Sequence, residues 1–347
     1  MSLGLQCPAT ITDRAEITMG HGGGGRMTEE LIDGIFRPAF SNAALDQRHD
    51  GAVLAAGGAR LAFTTDSHVV NPLFFPGGDI GTVAVNGTVN DLAMCGARPL
   101  WLSAGFVLEE GLPIETLRRI VASMSAAASE AGVAIVTGDT KVVERGKGDG
   151  MYVTTAGVGL IDHDLNIGPA QIEEDDVVIL SGDIGRHGTA IMAEREGLKF
   201  ESTIESDCAP LARPIGALLG AGVRVHCLRD LTRGGLATAL IELAETRGLE
   251  IAVVEKKIPV SEEVRGACEI LGLEAMYVAN EGRFICFVPQ DDASEALEIL
   301  FRTSPGWPPA VIGSVRRSTS GEVSLLGVVG AERILHRLSG EQLPRIC

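Results

Sequence analysis

Short runs of Val, Ile, Leu and Ala alternate with helical patterns from residue 51 to residue 315, and this alternation confines the chain to mixed α/β layers. LAFTTD at 61–66, LWLSAGFVL at 100–108, VAIVTGDT at 133–140 and MYVTTAGVGLI at 151–161 read as strands. Between them, 79–96 reads as a helix of small residues bounded by Gly78 and Gly96, and 113–131 as an Ala-rich helix opening at Pro113. Further strands are expected at 177–182, 223–230, 251–254, 283–288 and 310–315. Helices are expected at 186–197, 210–221, 233–247, 261–271 and 291–301, with Thr232 capping the third of these. The predicted fold class is therefore α/β (α+β), as two mixed α/β domains.

The polar segment 162–176, carrying Pro169, marks the domain boundary. Residues 46–165 form the first domain and 166–330 the second. Residues 1–45 read as a Gly-rich lead and a helix with Leu31, Ile32, Ile35 and Phe36 on one face. Residues 331–347 read as a mobile tail after a short helical turn.

A length of 347 residues accommodates two domains, and 45% hydrophobic with 22% charged residues is the balance of a folded protein. The net charge of -17 argues against a nucleic-acid partner, because that binding needs Lys and Arg against phosphates. A nucleotide remains compatible, since metal ions and helix N-termini supply local positive potential. The 7 cysteines include no C-x-x-C pair, which disfavours a disulfide framework or a structural zinc site. Cys7, Cys95, Cys208, Cys227, Cys268 and Cys286 read as packing or surface thiols. The chain opens without a signal-peptide pattern and has no apolar stretch near membrane-spanning length, so a cytoplasmic location without a membrane is expected.

Acidic residues punctuate the pattern: Asp66 in TTDS, Asp91 in GTVNDLA, Asp139 in TGDT and Asp230 in RDLTRGG. Any one of them is most often a turn former or a helix cap. Together they suit magnesium, which takes hard oxygen ligands and bridges carboxylates to phosphates. The chain lacks a G-x-x-x-x-G-K-S/T phosphate loop; GGGGRMT matches it only in glycine content.

The order of TTDS, GGDIGTVAVNGTVNDLAMCGA, TGDTKVV, RDLTRGG and NEG resembles the aminoimidazole-ribonucleotide-synthetase superfamily, which includes selenophosphate synthetase and thiamine-monophosphate kinase. Within it, MGHGGGGRMTEELI near the start and PRIC at the end resemble the HypE family of hydrogenase maturation proteins. The resemblance covers nearly the whole chain. It implies two α/β domains with an ATP cleft between them, and a homodimer joined by a barrel of N-domain strands. It places Asp66, Asp91 and Asp230 at the acidic metal positions for Mg2+, with Asp139 a further candidate. The implied activity is ATP-driven dehydration of a carbamoyl group on Cys347 to a thiocyanate. The cyano group would go to the iron of a nickel–iron hydrogenase. A HypF-type carbamoyltransferase would load the cysteine, and a HypC–HypD complex would accept the product.

Such chemistry needs a metal, a cation for phosphate, a base and exclusion of water. Lys141 is the candidate phosphate contact, beside Gly138, Asp139 and Thr140, with Asn90 a further nucleotide contact. The resemblance supports Glu281 in NEGRF as the base, with His68 and His49 as weaker candidates. The run Gly20 to Arg26 is expected to cover the phosphates through His21, the backbone of Gly22, Gly23, Gly24 and Gly25, and Arg26. Cys347 does not fit a prenylation signal, whose Cys stands four residues from the end. A thiol on a tail whose last dozen residues span about 40 Å when extended suits a carrier. Two rival readings stand beside this one: a small-molecule enzyme of the same superfamily, and a non-catalytic carrier or scaffold.

Overall fold

In a computed structural model the described residues are 16–197, 203–304, 308–318, 320–338 and 345–347. Cys7 and part of the expected tail lie outside them. The chain enters through helix α1 (Arg26–Leu31), a π-helical turn (Ile32–Phe36) and helix α2 (Arg37–Phe40). The apolar face foreseen here is present but uncovered: Ile35 and Phe36 stay about half exposed.

The first sheet holds β1 (Ala52–Ala56), β2 (Ala59–His68), β5 (Arg98–Glu109), β6 (Ala134–Val143) and β7 (Met151–Ile161). The short strands β3 (Phe74–Phe75) and β4 (Gly78–Asp79) form a separate hairpin. Strand order is β1-β2-β7-β5-β6, antiparallel except for the β5–β6 pair. Helix α3 (Ile80–Met94) packs on this sheet and against α4 (Ile114–Ala131). Asp79 caps α3 by accepting from the Gly81 and Thr82 N–H groups at 2.7 and 3.1 Å. Val83, Val85, Val89 and Leu92 are fully buried, each stabilising the layer by roughly 1.5–3 kcal/mol. Gly87 keeps α3 close to β2: a Cβ there would meet His68 Cε1 at 3.1 Å and Asp66 Oδ2 at 3.2 Å.

The second sheet follows the order β14-β13-β10-β12-β8-β11-β9. Its strands are β8 (Val177–Leu180), β9 (Cys227–Asp230), β10 (Glu250–Val254), β11 (Phe284–Val288), β12 (Ala310–Arg316), β13 (Val323–Leu326) and β14 (Glu332–Ile334). Around it lie α5 (Arg186–Arg195), α6 (Ala212–Gly220), α7 (Gly235–Arg247), α8 (Glu262–Leu271) and α9 (Ala293–Thr303). The two mixed α/β halves match the expected class. Among the described residues, no helix is long and apolar enough to cross a membrane.

Three local expectations change. Thr232 does not cap α7; its hydroxyl donates to Asp230 Oδ1 at 3.1 Å, and Gly234 stands at the helix start. The expected helical turn after 331 is instead strand β14, paired with β13. Asp66, expected to end a strand at 61–66, lies inside β2, whereas Asp91 lies inside α3 and Asp139 inside β6 as the helix at 79–96 and the strand at 133–140 require, and Asp230 closes β9.

The outer face of the first sheet is bare. Phe63, Trp101, Val107 and Val136 are exposed along it.

Candidate active site

Two cavities adjoin where the halves meet, and Thr28, Asp66, Thr232, Arg233 and Gly234 line both. The smaller, about 400 Å³, gathers Asp50, Asp66, Asp91 and Asp230. The larger, about 810 Å³, is lined by the glycine run, by Glu281 and by Cys347. The fold thus brings the three proposed metal carboxylates, the proposed base and the terminal thiol to one place.

Each acid has a different support. Strand β2 carries Asp66, whose Oδ1 accepts from the Ser67 N–H at 2.9 Å. Helix α3 carries Asp91, whose Oδ2 accepts from the Thr64 hydroxyl at 2.7 Å. Strand β9 delivers Asp230, whose Oδ2 is buried without a hydrogen-bond partner. Burial raises Asp91 well above the ordinary carboxylate range, and Asp230, Asp50 and Asp66 push it further. Burial also raises Asp230, against the opposing charge of Arg229.

Asp50 was missed by sequence reasoning, because Asp-Gly in RHDG reads as an ordinary turn. Burial pushes its carboxyl up to about 8 despite the Arg229 guanidinium. That guanidinium stands 2.9 Å away, and Asp50 Oδ2 has no hydrogen-bond partner. Asp50 Oδ2 and Asp230 Oδ2, buried without donors among like charges, are hard oxygens that fit a divalent cation. Among the described residues no three His, Cys, Asp or Glu side chains stand together so as to hold a metal ion by themselves. Magnesium does not require that, since it keeps waters and shares few protein carboxylates with phosphate.

A stability test follows with a defined sign. Asp50 shifts from 3.8 to about 8, so the folded state holds this proton more tightly than the unfolded state. Its stabilising contribution is full below the lower value and is lost as pH rises through the upper one. The melting temperature of chelated protein should fall over that window, and Mg2+ should flatten the fall. An equally steep fall with Mg2+ present would remove the cation from this cluster.

Arg233 is the second residue that sequence reasoning passed over. Its φ of 49° is costly for a side-chain-bearing residue, as is common at functional sites. Burial opposes its charge, but Cys347, Asp66, Asp91 and Asp230 outweigh that and hold it cationic. Its guanidinium lies 4.0 Å from Asp66. Gly24, at φ 73°, lies over it, and a Cβ at Gly24 would come within 2.9 Å of Arg233 Cβ. The glycine run is therefore seated on the cation.

Glu281 is buried, and its Oε1 lacks a hydrogen-bond partner. Burial raises its carboxyl well above the usual range, with Asp230, Asp66 and Asp207 adding to the shift and Arg233 opposing it. Burial and the Glu281 charge push the Cys347 thiol up to about 12. A docked thiol is thus held protonated and is a weak nucleophile.

The other proposed residues divide between the cavity walls and positions away from them. His68 is buried and lines neither cavity; burial lowers its pKa, and Nε2 lies 3.3 Å from Thr155 Oγ1. His49 lines the smaller cavity, but burial, followed by Arg229, pulls it down to about 3, leaving it neutral. Asn90 donates to the Ala209 and Glu281 carbonyls and accepts from Leu211 N–H, so it ties α3 to the second half. His21 lines the larger cavity and accepts from Thr18 N–H at 3.0 Å, whereas Arg26 pairs with Glu30 outside both cavities. Gly138, Asp139, Thr140 and Lys141 lie on edge strand β6, where Lys141 and Asp139 are paired at 2.8 Å and exposed. Asp66 opposes Thr155, Thr155 opposes Ala104, and Ala104 opposes Gly138. Three strand spacings, roughly 14 Å, therefore separate Asp66 from that strand within one chain.

Comparison with known proteins matches this arrangement. The AIR synthase related protein N-terminal domain matches residues 48–161, and its C-terminal domain matches residues 173–325. The chain is 50% identical over 331 residues to the carbamoyl dehydratase HypE of Azotobacter vinelandii, covering 95% of this chain and 97% of that one. A crystal structure of a HypE–HypF complex matches with a TM-score of 0.84 at 44% identity, over 89% of this chain and 99% of the other. A crystal structure of HypE in complex with ATP matches with a TM-score of 0.81 at 46% identity, over 96% of this chain and 100% of the other.

Proposed function

The chain belongs to the HypE family of AIR synthase related proteins, and on that premise we propose that it is an ATP-dependent carbamoyl dehydratase acting on the S-carbamoyl group of its own Cys347. The observation that carries the reading is the shared cavity: Cys347, Glu281, Arg233 and Asp66 all line it.

The reaction starts from S–C(=O)–NH2, whose oxygen leaves poorly. Transfer of the ATP γ-phosphoryl group to that oxygen converts it into phosphate, a good leaving group. That transfer releases ADP; loss of one N–H proton to Glu281 and of the other to the departing phosphate then leaves S–C≡N. Glu281 takes a proton from the carbamoyl nitrogen, its raised pKa suiting proton transfer near neutrality. Arg233 faces the charge that develops on the transferred group. Bound at Asp66, Asp91 and Asp230, Mg2+ would neutralise phosphate charge. The glycine run and the buried tail exclude water.

Loading takes place away from this cavity, because the docked thiol, half-buried, is held protonated. A HypF-type carbamoyltransferase fits as donor, and a relative has been solved with HypF. A HypC–HypD complex fits as cyanide acceptor for hydrogenase iron. The bare apolar face of the first sheet suits a homodimer, and the adjoining Gly138–Lys141 segment is proposed to serve the nucleotide across that contact.

The test is to mix carbamoylated protein with Mg-ATP and weigh the C-terminal peptide. A loss of one water, matched by released phosphate, is expected; an unchanged mass defeats the reading. Arg233→Ala should slow a single turnover by about 10²-fold, the usual effect of removing an electrostatic stabiliser. Rapid-quench kinetics would check this, and an unaltered rate would remove Arg233 from the chemistry.

A further inference from the structure

The last residues of the chain are held by their backbone. Val69 N–H donates to the Cys347 carbonyl at 2.8 Å, and Asn71 N–H to the Arg345 carbonyl at 3.1 Å. The Arg345 carbonyl also accepts from the Arg195 guanidinium at 2.9 Å. The carbonyl between them, that of Ile346, lies 2.6 Å from Nε2 of His187. Both His187 and the Ile346 side chain are buried. His187 opens helix α5 in the RHGTA segment, and the dehydration chemistry gives it no role.

The tautomer follows from the partners. A carbonyl only accepts, so Nε2 carries the proton and Nδ1 is the acceptor. The Ser206 hydroxyl, 2.8 Å away, donates to Nδ1, and its oxygen accepts from Cys208 N–H at 3.1 Å. Phe75 stands edge-on to the ring at 5.5 Å and fixes its plane. The imidazole is therefore set before the tail arrives, with one N–H aimed at where Ile346 must sit. Glu281 Oε1 lies 4.0 Å from Nε2. Because that N–H is committed to Ile346, the carboxylate stays free for the cargo.

We propose that His187 is the positioning residue for the carrier tail: its N–H holds the Ile346 carbonyl and so sets Cys347 beside Glu281. The consequence for turnover rests on the dehydratase reading, but the seat itself does not. An undocked tail leaves a buried donor without its acceptor, which favours the docked state about tenfold.

The test uses the full chain without carbamoyl or ATP. Iodoacetamide labels Cys347, and the C-terminal peptide is quantified by mass spectrometry over time. His187→Asn keeps a group near Nδ1 but loses the reach of Nε2, and should speed Cys347 labelling about tenfold, whereas His187→Gln restores a donor near Nε2 and should stay within about twofold of the unaltered chain. In the carbamoylated chain, His187→Asn should slow a single turnover while leaving the ATP half-saturation unchanged. A folded His187→Asn chain labelled at the unaltered rate overturns the proposal. If that variant does not fold, half-buried Ser206→Ala carries the test. Without the hydroxyl, Nδ1 loses the donor that aims the ring, so the imidazole no longer holds its Nε2–H toward the Ile346 position before the tail arrives. Faster labelling is again expected, and an unaltered rate again overturns the proposal. Labelling needs no chemistry, so a chain that seats its tail but never dehydrates would sink the functional reading alone.

Discussion

A Cys347→Ala chain is expected to bind Mg-ATP as the unaltered chain does and to form no thiocyanate. The thiol lines the larger cavity beside Glu281, while the carboxylates that would serve Mg-ATP sit mainly in the smaller one. Removing one sulfur leaves that acidic cluster and the glycine run in place. Binding, followed by calorimetry, should therefore change by less than about twofold, since removing one sulfur leaves the carboxylates of the smaller cavity and their supports unchanged. Product, followed by the mass of the C-terminal peptide, should vanish, because no other atom there can carry the carbamoyl group. The same variant separates the rivals. A small-molecule enzyme of this superfamily would keep its turnover with Cys347 absent. A scaffold would release no phosphate from the loaded, unaltered chain either. Phosphate release at the unaltered rate from a Cys347→Ala chain treated with the same carbamoyl donor would remove the carrier role of this sulfur.

Much of this architecture is legible in the residues because local pattern and tertiary burial agree there. Strands β8 and β11 are continuous apolar runs, and both are buried along their length. Asp66, Asp91 and Asp230 are visible as acids in TTDS, GTVNDLA and RDLTRGG, and they converge. Their placement was less visible, because an Asp within β2 or α3 differs from a turn former only through the tertiary neighbours that remove water from it. Asp50 and Arg233 escaped for the same reason: a raised carboxyl and a positive φ are properties of the assembled site. Thr232 offered a textual cap signal, but the buried Asp230 needed its hydroxyl more than the helix did. Lys141 shows the converse limit, since adjacency to Gly-Asp-Thr in sequence left it on an exposed edge.

The second large effect is expected of Glu281→Gln. Glutamine has nearly the same volume and occupies the buried position without a charge, but it cannot take a proton from the carbamoyl nitrogen. A single turnover should slow by about 10²–10⁴-fold, the usual span for a lost general base, with ATP affinity retained. The pH profile distinguishes this from a packing defect. The Glu281 carboxyl is raised mainly by burial, so the unaltered rate climbs as pH rises through that value and the carboxyl ionises. The Gln variant should lose that limb. Stability moves the opposite way. A raised carboxyl contributes stability that is full below its unfolded value and is lost as pH climbs through its folded one. Gln abolishes that loss, so at alkaline pH the variant should melt above the unaltered chain while being nearly inactive. Thermal melts and rapid-quench turnover on one preparation measure both. A variant that melts lower and turns over slowly would make Glu281 a packing residue, and one that keeps its rate would make some other group the base.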